Sequence, residues 1–201
     1  MLLAFDTSSA ACTAALFDGS GACVGKAEEL LGRGHAERLA PMIAELLDGR
    51  SATQIIVGIG PGSFTGIRVG IAAAQGLAIG WDAALLGMSS LAVLAAGANA
   101  EGEVAAAVKG GHGELFVQQF DRMEPISDIR NADPAAAARL VTCTLVVGSG
   151  AKQLVDARGW GEALDLWPSA ANTLRLPQPL RSLPPRPVYA RAPDARVAEA
   201  A

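Results

Sequence analysis

Aromatic side chains are scarce in this sequence: Phe, Tyr and Trp together make up 4% of it. Its core must be packed by Ala, Leu, Val and Gly, which brings backbones close together. Charge is also thin. Charged residues are 18% of the chain, and between Ser51 and Ala100 only Arg68 and Asp82 carry charge, against a usual share of about a quarter. A stretch so poor in charge belongs to a core or an interface, not to a solvated linker. The three cysteines, Cys12, Cys23 and Cys143, are odd in number and form no C-x-x-C pair, which argues against a disulfide framework or a zinc site. Only His35 and His112 are histidines. A helical two-histidine metal clamp on His35 needs a partner four residues on, and that position is Leu39. No Ser–His–Asp set is suggested by the local sequence.

Other absences narrow the class further. No apolar run reaches the roughly 18 residues of a membrane span without glycine or polar interruption. The N-terminus lacks the basic region of a signal peptide, and Asp6 breaks its apolar start. A soluble, cytoplasmic protein without membrane contact is expected. The net charge is −4, whereas a protein that binds nucleic acid by itself usually has a basic face. The one local exception is the tail, where Arg175, Arg181, Arg186, Arg191 and Arg196 outnumber Asp194 and Glu199; its plain reading is a solvated tail.

What is present is an apolar chain, 51% hydrophobic over 201 residues, enough for one large domain or two small ones. Apolar runs at Leu2 to Phe5, Cys12 to Phe17 and Ala22 to Leu30 read as three strands, with a hairpin signal at Asp18-Gly19-Ser20-Gly21 between the last two. His35 to Leu47 has helical spacing, with Leu39, Ile43, Leu46 and Leu47 on one side; Pro41 is awkward inside it. A strand at Ile55 to Ile59, a glycine-rich turn at Gly60 to Gly66 and a helix to about Gly80 follow, with Thr65 as its expected N-cap. Ala83 to Leu86 is a short strand, and Ser89 or Ser90 caps a helix to about Ala98. After a polar break at Asn99 to Glu103, strands at Val104 to Val108 and Glu114 to Phe120, a helix at Pro134 to Leu140, a strand at Thr144 to Val147 and a helix after Gly148-Ser149-Gly150 repeat a shorter copy of that layout. Seven of the eleven prolines lie from Pro168 onward, which makes that region extended or loop. The expectation is an α/β protein of two subdomains, 1–98 and 99–201, with three antiparallel strands in a mixed sheet flanked by helices in the first and a smaller copy of that layout in the second.

The segment from Ile55 to Gly80 carries the most information. Its helix has two strongly polar side chains, Arg68 and Gln75, on one narrow stripe. A helix apolar nearly all round must be covered on all sides. Gly66, Gly70, Ala74 and Ala78 recur every four residues as a smooth ridge, which lets another helix approach closely. This chain's own sheet can cover one side; the other is expected to meet a second protein.

Two places have the composition of an anion site. Asp6-Thr7-Ser8-Ser9 follows a strand and precedes another. It resembles the first phosphate loop of the actin, Hsp70 and sugar-kinase superfamily, although those enzymes have glycine where Ser8 stands. Asp6, at a strand end, is expected within reach of water. Gly60-Pro61-Gly62-Ser63-Phe64-Thr65-Gly66 opens a helix, where an anion is easily held. It lacks the Lys-Ser/Thr pair of a P-loop and the G-x-G-x-x-G of a dinucleotide fold, so a tight turn with close backbone packing is the better reading.

Taken together, Phe5-Asp6-Thr7-Ser8, Gly34-His35-Ala36-Glu37-Arg38-Leu39, the block from Gly60 to Gly70 and the tail Val188-Tyr189-Ala190-Arg191-Ala192-Pro193-Asp194 are similar to the TsaB (YeaZ) family. The segment from Lys109 to Glu114 departs from that family's usual Asp-Ala-Arg-x-x-Glu. The resemblance implies two actin/Hsp70-like, RNase H-like subdomains and a paralogue of TsaD, the enzyme that makes threonylcarbamoyladenosine in tRNA. TsaD holds its metal on a His-x-x-x-His helix, of which His35 and Leu39 are the remnant here. A non-catalytic scaffold subunit is therefore implied, supporting transfer to N6 of the adenosine beside the anticodon. It would pair with a TsaD-like catalytic subunit, work with a TsaE-like ATPase, form a homodimer when alone, and meet tRNA indirectly. His35, Leu39 and Met42 on the first helix and Gly66, Ile67, Gly70, Ile71 and Ala74 on the second are the expected interface. Asp6, Thr7 and Ser8 are the candidate nucleotide contacts; no cofactor is required by this chain, and ATP or ADP belongs at the joint interface. The competing readings are an independent small-molecule kinase or glycoprotease-like peptidase of the same fold, and a structural homodimer with no link to tRNA.

Overall fold

Three antiparallel strands open the chain in the computed structural model, which describes residues 1–190: β1 (Leu2–Asp6), β2 (Ala11–Phe17) and β3 (Cys23–Leu30). Arg191, Ala192, Pro193, Asp194, Arg196 and Glu199, named above, lie outside the described residues. Helix α1 (His35–Leu47) leads to β4 (Gln54–Gly58), then α2 (Phe64–Trp81), β5 (Ala84–Met88) and α3 (Ser90–Gly97). Strands β4 and β5 add in parallel beside β1, giving the order β3-β2-β1-β4-β5. Strand β2 is buried along its whole length, whereas the edge strand β3 is largely open to solvent.

The layout then repeats. β6 (Glu103–Lys109) and β7 (Leu115–Asp121) are antiparallel. The outer edge of β7 is shared by two short pieces, β8 (Glu124–Pro125) and β9 (Arg130–Ala132). After α4 (Pro134–Leu140), β10 (Leu145–Val147) adds parallel to β6; after α5 (Ala151–Arg158), β11 (Glu162–Leu164) adds parallel to β10. The order β11-β10-β6-β7-β8 reproduces that of the first sheet, as the strand-led restart after Asn99 predicts.

Helices form three layers with the two sheets. α1 and α2 cover the outer face of the first sheet through Leu39, Met42, Ile43, Ile67, Ile71 and Ala74. α4 and α5 cover the outer face of the second. α3 lies between the sheets and is buried from Ser90 to Ala96, packing on Ala4, Phe17 and Ile56 on one side and Ala106, Phe116 and Phe120 on the other. Its two buried serines sit at its N-terminus, where Ser89 accepts a hydrogen bond from Ala92 N at 3.2 Å, which caps the helix.

Two expectations need correction. The N-cap of α2 is Ser63, not Thr65: its hydroxyl accepts from Gly66 N at 3.2 Å, and the helix starts at Phe64. The chain beyond Pro168 is not all extended or loop. It contains a 3-10 helix at Ala170–Arg175 and α6 (Gln178–Arg181), and it crosses back onto the first sheet. Thr13 Oγ1 donates to the Pro168 carbonyl at 2.9 Å, Leu183 and Gly87 exchange backbone hydrogen bonds at 2.7 and 3.0 Å, and Val188 N donates to Ile59 O at 2.9 Å. Among the described residues no helix is long and apolar enough to cross a membrane.

Candidate functional site

The turn after β1 is built around Asp6. One carboxylate oxygen accepts from Ser8 N at 2.7 Å and Ser8 Oγ at 2.6 Å; the other accepts from Ser90 Oγ at 2.6 Å. Ser90 Oγ in turn accepts from Gly60 N at 3.0 Å. Thr7 Oγ1 donates to Gly66 O at 2.7 Å, and Ser63 N donates to Ser8 O at 2.7 Å. The Gly60–Gly66 turn thus lies directly on the loop. Glycine is required for that approach: a Cβ at Gly66 would stand 2.0 Å from the Thr7 carbonyl oxygen. Asp6 is 1% exposed, and Thr7 and Ser8 are equally enclosed. The expectation that water reaches Asp6 is therefore wrong, because the glycine-rich turn roofs it. Burial pushes its pKa above the usual carboxylate value, against the hydrogen bonds from Ser8 and Ser90 and the charge of His35, which lower it. The side chains of Asp6, Thr7 and Ser8 are all engaged within the chain.

The helix faces also differ from the reading of the sequence. His35, Leu39 and Met42 on α1 and Gly66, Ile67, Gly70, Ile71 and Ala74 on α2 are all buried by this chain itself. They form the inward face, so they present no surface to a second chain. The small ridge exists, but it serves the close approach of α2 to the loop and sheet: a Cβ at Gly70 would lie 2.5 Å from Thr7 Oγ1. His35 stands at the first position of α1 with its Nε2 buried and without a hydrogen-bond partner among the described residues.

The outward faces mix small apolar residues with charged ones. α1 exposes Ala36, Ala40, Pro41 and Ala44 together with Glu37 and Glu45, and α2 exposes Ala72, Gln75, Gly76, Ile79 and Gly80 together with Phe64, Thr65 and Arg68. Ile79 is 84% exposed, which is unusual for so large an apolar group. Between the two helices runs a groove of about 320 Å³ lined by Ala40, Ile43, Ala44, Leu47, Ala73, Gly76, Leu77 and Trp81. Among the described residues nothing lies within 4 Å of a Cβ built on Gly76. Its floor is hydrocarbon and its walls lack a charge, so a second apolar helix could settle there.

A third feature has no counterpart in the sequence reading. The Arg68 guanidinium lies 3.6 Å from the centre of the Phe64 ring and 5.7 Å from that of Tyr189, and its Nε donates to Tyr189 Oη at 3.0 Å. Phe64 and Tyr189 are about half exposed. The signal available was the rarity of aromatics combined with the placement of one in the glycine-rich turn and one in the tail motif. Among the described residues no group of three or more His, Cys, Asp or Glu is gathered as metal ligands would be.

Two like-built mixed sheets sharing one buried helix define an α/β protein of the actin/Hsp70-like class. Residues 26–162 match the family described as TsaD, tRNA N6-adenosine threonylcarbamoyltransferase. The chain is 41% identical over 132 residues to the Escherichia coli tRNA threonylcarbamoyladenosine biosynthesis protein TsaB, and 40% over 137 residues to its Haemophilus influenzae namesake. These matches cover 61% and 63% of this chain, and it spans about half the length of the relatives, 56% of each. The structure of YeaZ from Pseudomonas aeruginosa superposes with a TM-score of 0.78 at 31% identity, covering 94% of this chain and 98% of that one. A second Pseudomonas aeruginosa structure, of a protein described as similar to peptidase YEAZ, gives 0.81 at 31% identity, covering 94% and 99%. The chain belongs to the TsaB/YeaZ family.

Proposed function

We propose that the chain is a non-catalytic subunit in the biosynthesis of threonylcarbamoyladenosine in tRNA, docking a TsaD-like catalytic subunit on the outward faces of α1 and α2. The observation that carries this reading is the apolar groove between those helices, open on a chain whose matched relatives are named for that pathway. The enclosed state of Asp6, Thr7 and Ser8 supports a scaffold over a kinase, because that loop has its polar groups spent internally. A peptidase gains no support from the buried thiols: burial pushes Cys12 and Cys143 up to about 11, far from the activated range. A TsaE-like ATPase would join through the assembly, tRNA would be its substrate, nucleotide would sit at the joint interface, the cytoplasm would be its compartment, and the same face would pair two copies when the partner is absent.

The test is co-purification with the TsaD-like protein of the same source. A stable association is expected, burying about 1,200–2,000 Å². Gly76→Arg has room to fold, since its Cβ meets nothing, yet it sets a charge in the groove. Burying that charge unpaired costs about 3–5 kcal/mol, a hundredfold or more in Kd. A variant that melts like the parent but no longer co-elutes supports the interface. Retention of the complex by both Gly76→Arg and Ala73→Arg, or no association of the parent chain, rules the reading out.

A further inference from the structure

From Leu166 to Ala190 the sequence has no Asp or Glu, but it has Arg175, Arg181 and Arg186. This is unusual in a chain of net charge −4, and the return of the segment onto the first sheet gives it a fixed path. Arg175 lies beside Asn99, just past the C-terminal end of α3, and donates to its side chain. Leu180 is held at the other end of α3, where its carbonyl accepts from Ser89 N at 2.9 Å. Arg175 and Arg181 therefore flank that helix, whose eight residues span about 12 Å. The chain then passes Gly87 and Ile59 and reaches Tyr189, which accepts from Arg68. Among the described residues none of these four arginines pairs with a carboxylate, whereas Lys26, Arg38, Arg130 and Lys152 do. Arg175 and Arg186 are exposed and Arg181 half-buried. Among the described residues the basic line is thus fixed in place by backbone hydrogen bonds and unopposed by a carboxylate, and at one end the Arg68 guanidinium lies over the Phe64 ring, whose centre is 5.5 Å from that of Tyr189.

We infer that Arg175, Arg181, Arg186, Arg68, Phe64 and Tyr189 form a contact surface for RNA. The inference rests on the function proposed above, in which RNA is the substrate of the assembly. Fixed arginines spread along an extended path suit a phosphate backbone, which binds by charge without needing one deep pocket. The aromatic end decides between RNA and an acidic protein. Exposed rings with a stacked guanidinium offer a platform for an unpaired base, and such stacking tolerates any base; an acidic peptide has no flat group to place there. The negative balance of the rest of the chain makes the contact local and sensitive to salt. It would therefore add to RNA binding by a catalytic partner rather than replace it.

The test uses the full chain, alone and with its TsaD-like partner, and an unmodified tRNA transcript as probe, with affinity measured across salt concentrations. Arg175→Ala combined with Arg186→Ala is expected to weaken binding several-fold and to make the slope of log K against log salt shallower by about 0.7–0.9 for each phosphate left without its arginine. Phe64→Ala is expected to weaken binding with the slope unchanged, because stacking releases no counterions. Association with the partner, read on the double-arginine variant, should stay as in the parent. Unchanged affinity and slope in that variant overturn the inference, as does displacement of the tRNA by poly-glutamate at equal charge concentration, which would mark an acidic protein surface. If the parent chain fails to associate with a TsaD-like protein, the functional proposal falls, and the slope measured on the chain alone still decides whether RNA is bound here.

Discussion

Asp6 is the residue on which the first half of the molecule converges. Its carboxylate ties the β1–β2 turn to Ser90 at the start of α3, and Ser90 ties both to Gly60. Removing the acceptor strands buried donors, each worth about 1–3 kcal/mol when left without a partner. Asp6→Ala is thus expected to destabilise the chain by about 2–3 kcal/mol, measured as a shift in urea midpoint. Its pH dependence has a definite sign. Burial raises its folded pKa, so the stability Asp6 contributes is fully present below the ordinary value of about 4 and is lost as pH rises through the folded pKa. Asp6→Asn keeps the shape and cannot ionise. Relative to that variant, the parent should lose stability on going from pH 4 to pH 7. Glu29 and Glu45, held low by Arg38, act in the opposite sense but are common to both proteins and cancel. A difference that grows with pH in favour of the parent would contradict the burial of this charge.

At the scale of elements, α2 separates what periodicity can tell from what it cannot. Its existence and length were legible, because an apolar run, a glycine-rich turn and a helix-length segment follow one another from Ile55 to Gly80. Its phase was not. A helix with apolar residues on every side has no polar stripe to mark the outside, and a ridge of small residues serves a neighbouring loop as well as a neighbouring helix. The phase is set by Thr7 and Ser8, which occupy the space beside Gly62, Gly66 and Gly70, and nothing in the local pattern of α2 announces a loop sixty residues earlier. The same fact gives a controlled comparison. Gly66→Ala and Gly76→Ala gain the same helix propensity, about 1 kcal/mol. The first forces a methyl against the Thr7 carbonyl, while the second meets open space. Gly76→Ala should therefore raise the thermal midpoint and Gly66→Ala should lower it by well over the propensity gain. Equal effects at the two positions would mean that α2 is rotated from the phase described.

For the whole molecule, the duplicated layout was readable from the strand-led restart after Asn99, but the dependence of each copy on the other was not. α3 follows the first sheet in sequence, yet Phe116, Phe120 and Ala106 of the second sheet cover it, along with Ala170 and Leu176 from the returning segment. That return is hidden in the sequence because its proline-rich chain is held through backbone carbonyls such as that of Pro168, which leave no side-chain pattern. A chain cut to residues 1–98 would lose the cover over one side of α3 and the end of β5, where Leu94 lies against Gly148 and Met88 against Thr173, both side chains fully buried in the intact protein. Each such side chain contributes about 1.5–3 kcal/mol when buried, so uncovering these two alone costs about 3–6 kcal/mol. Small domains have only about 5–15 kcal/mol of stability in all. Residues 1–98 alone are therefore expected to lack a cooperative thermal transition and to aggregate or bind a hydrophobic dye, whereas residues 1–190 should unfold in one transition by far-UV and near-UV dichroism alike. A 1–98 fragment that stays monomeric and melts cooperatively would show that the two copies are autonomous and that α3 belongs to the first alone.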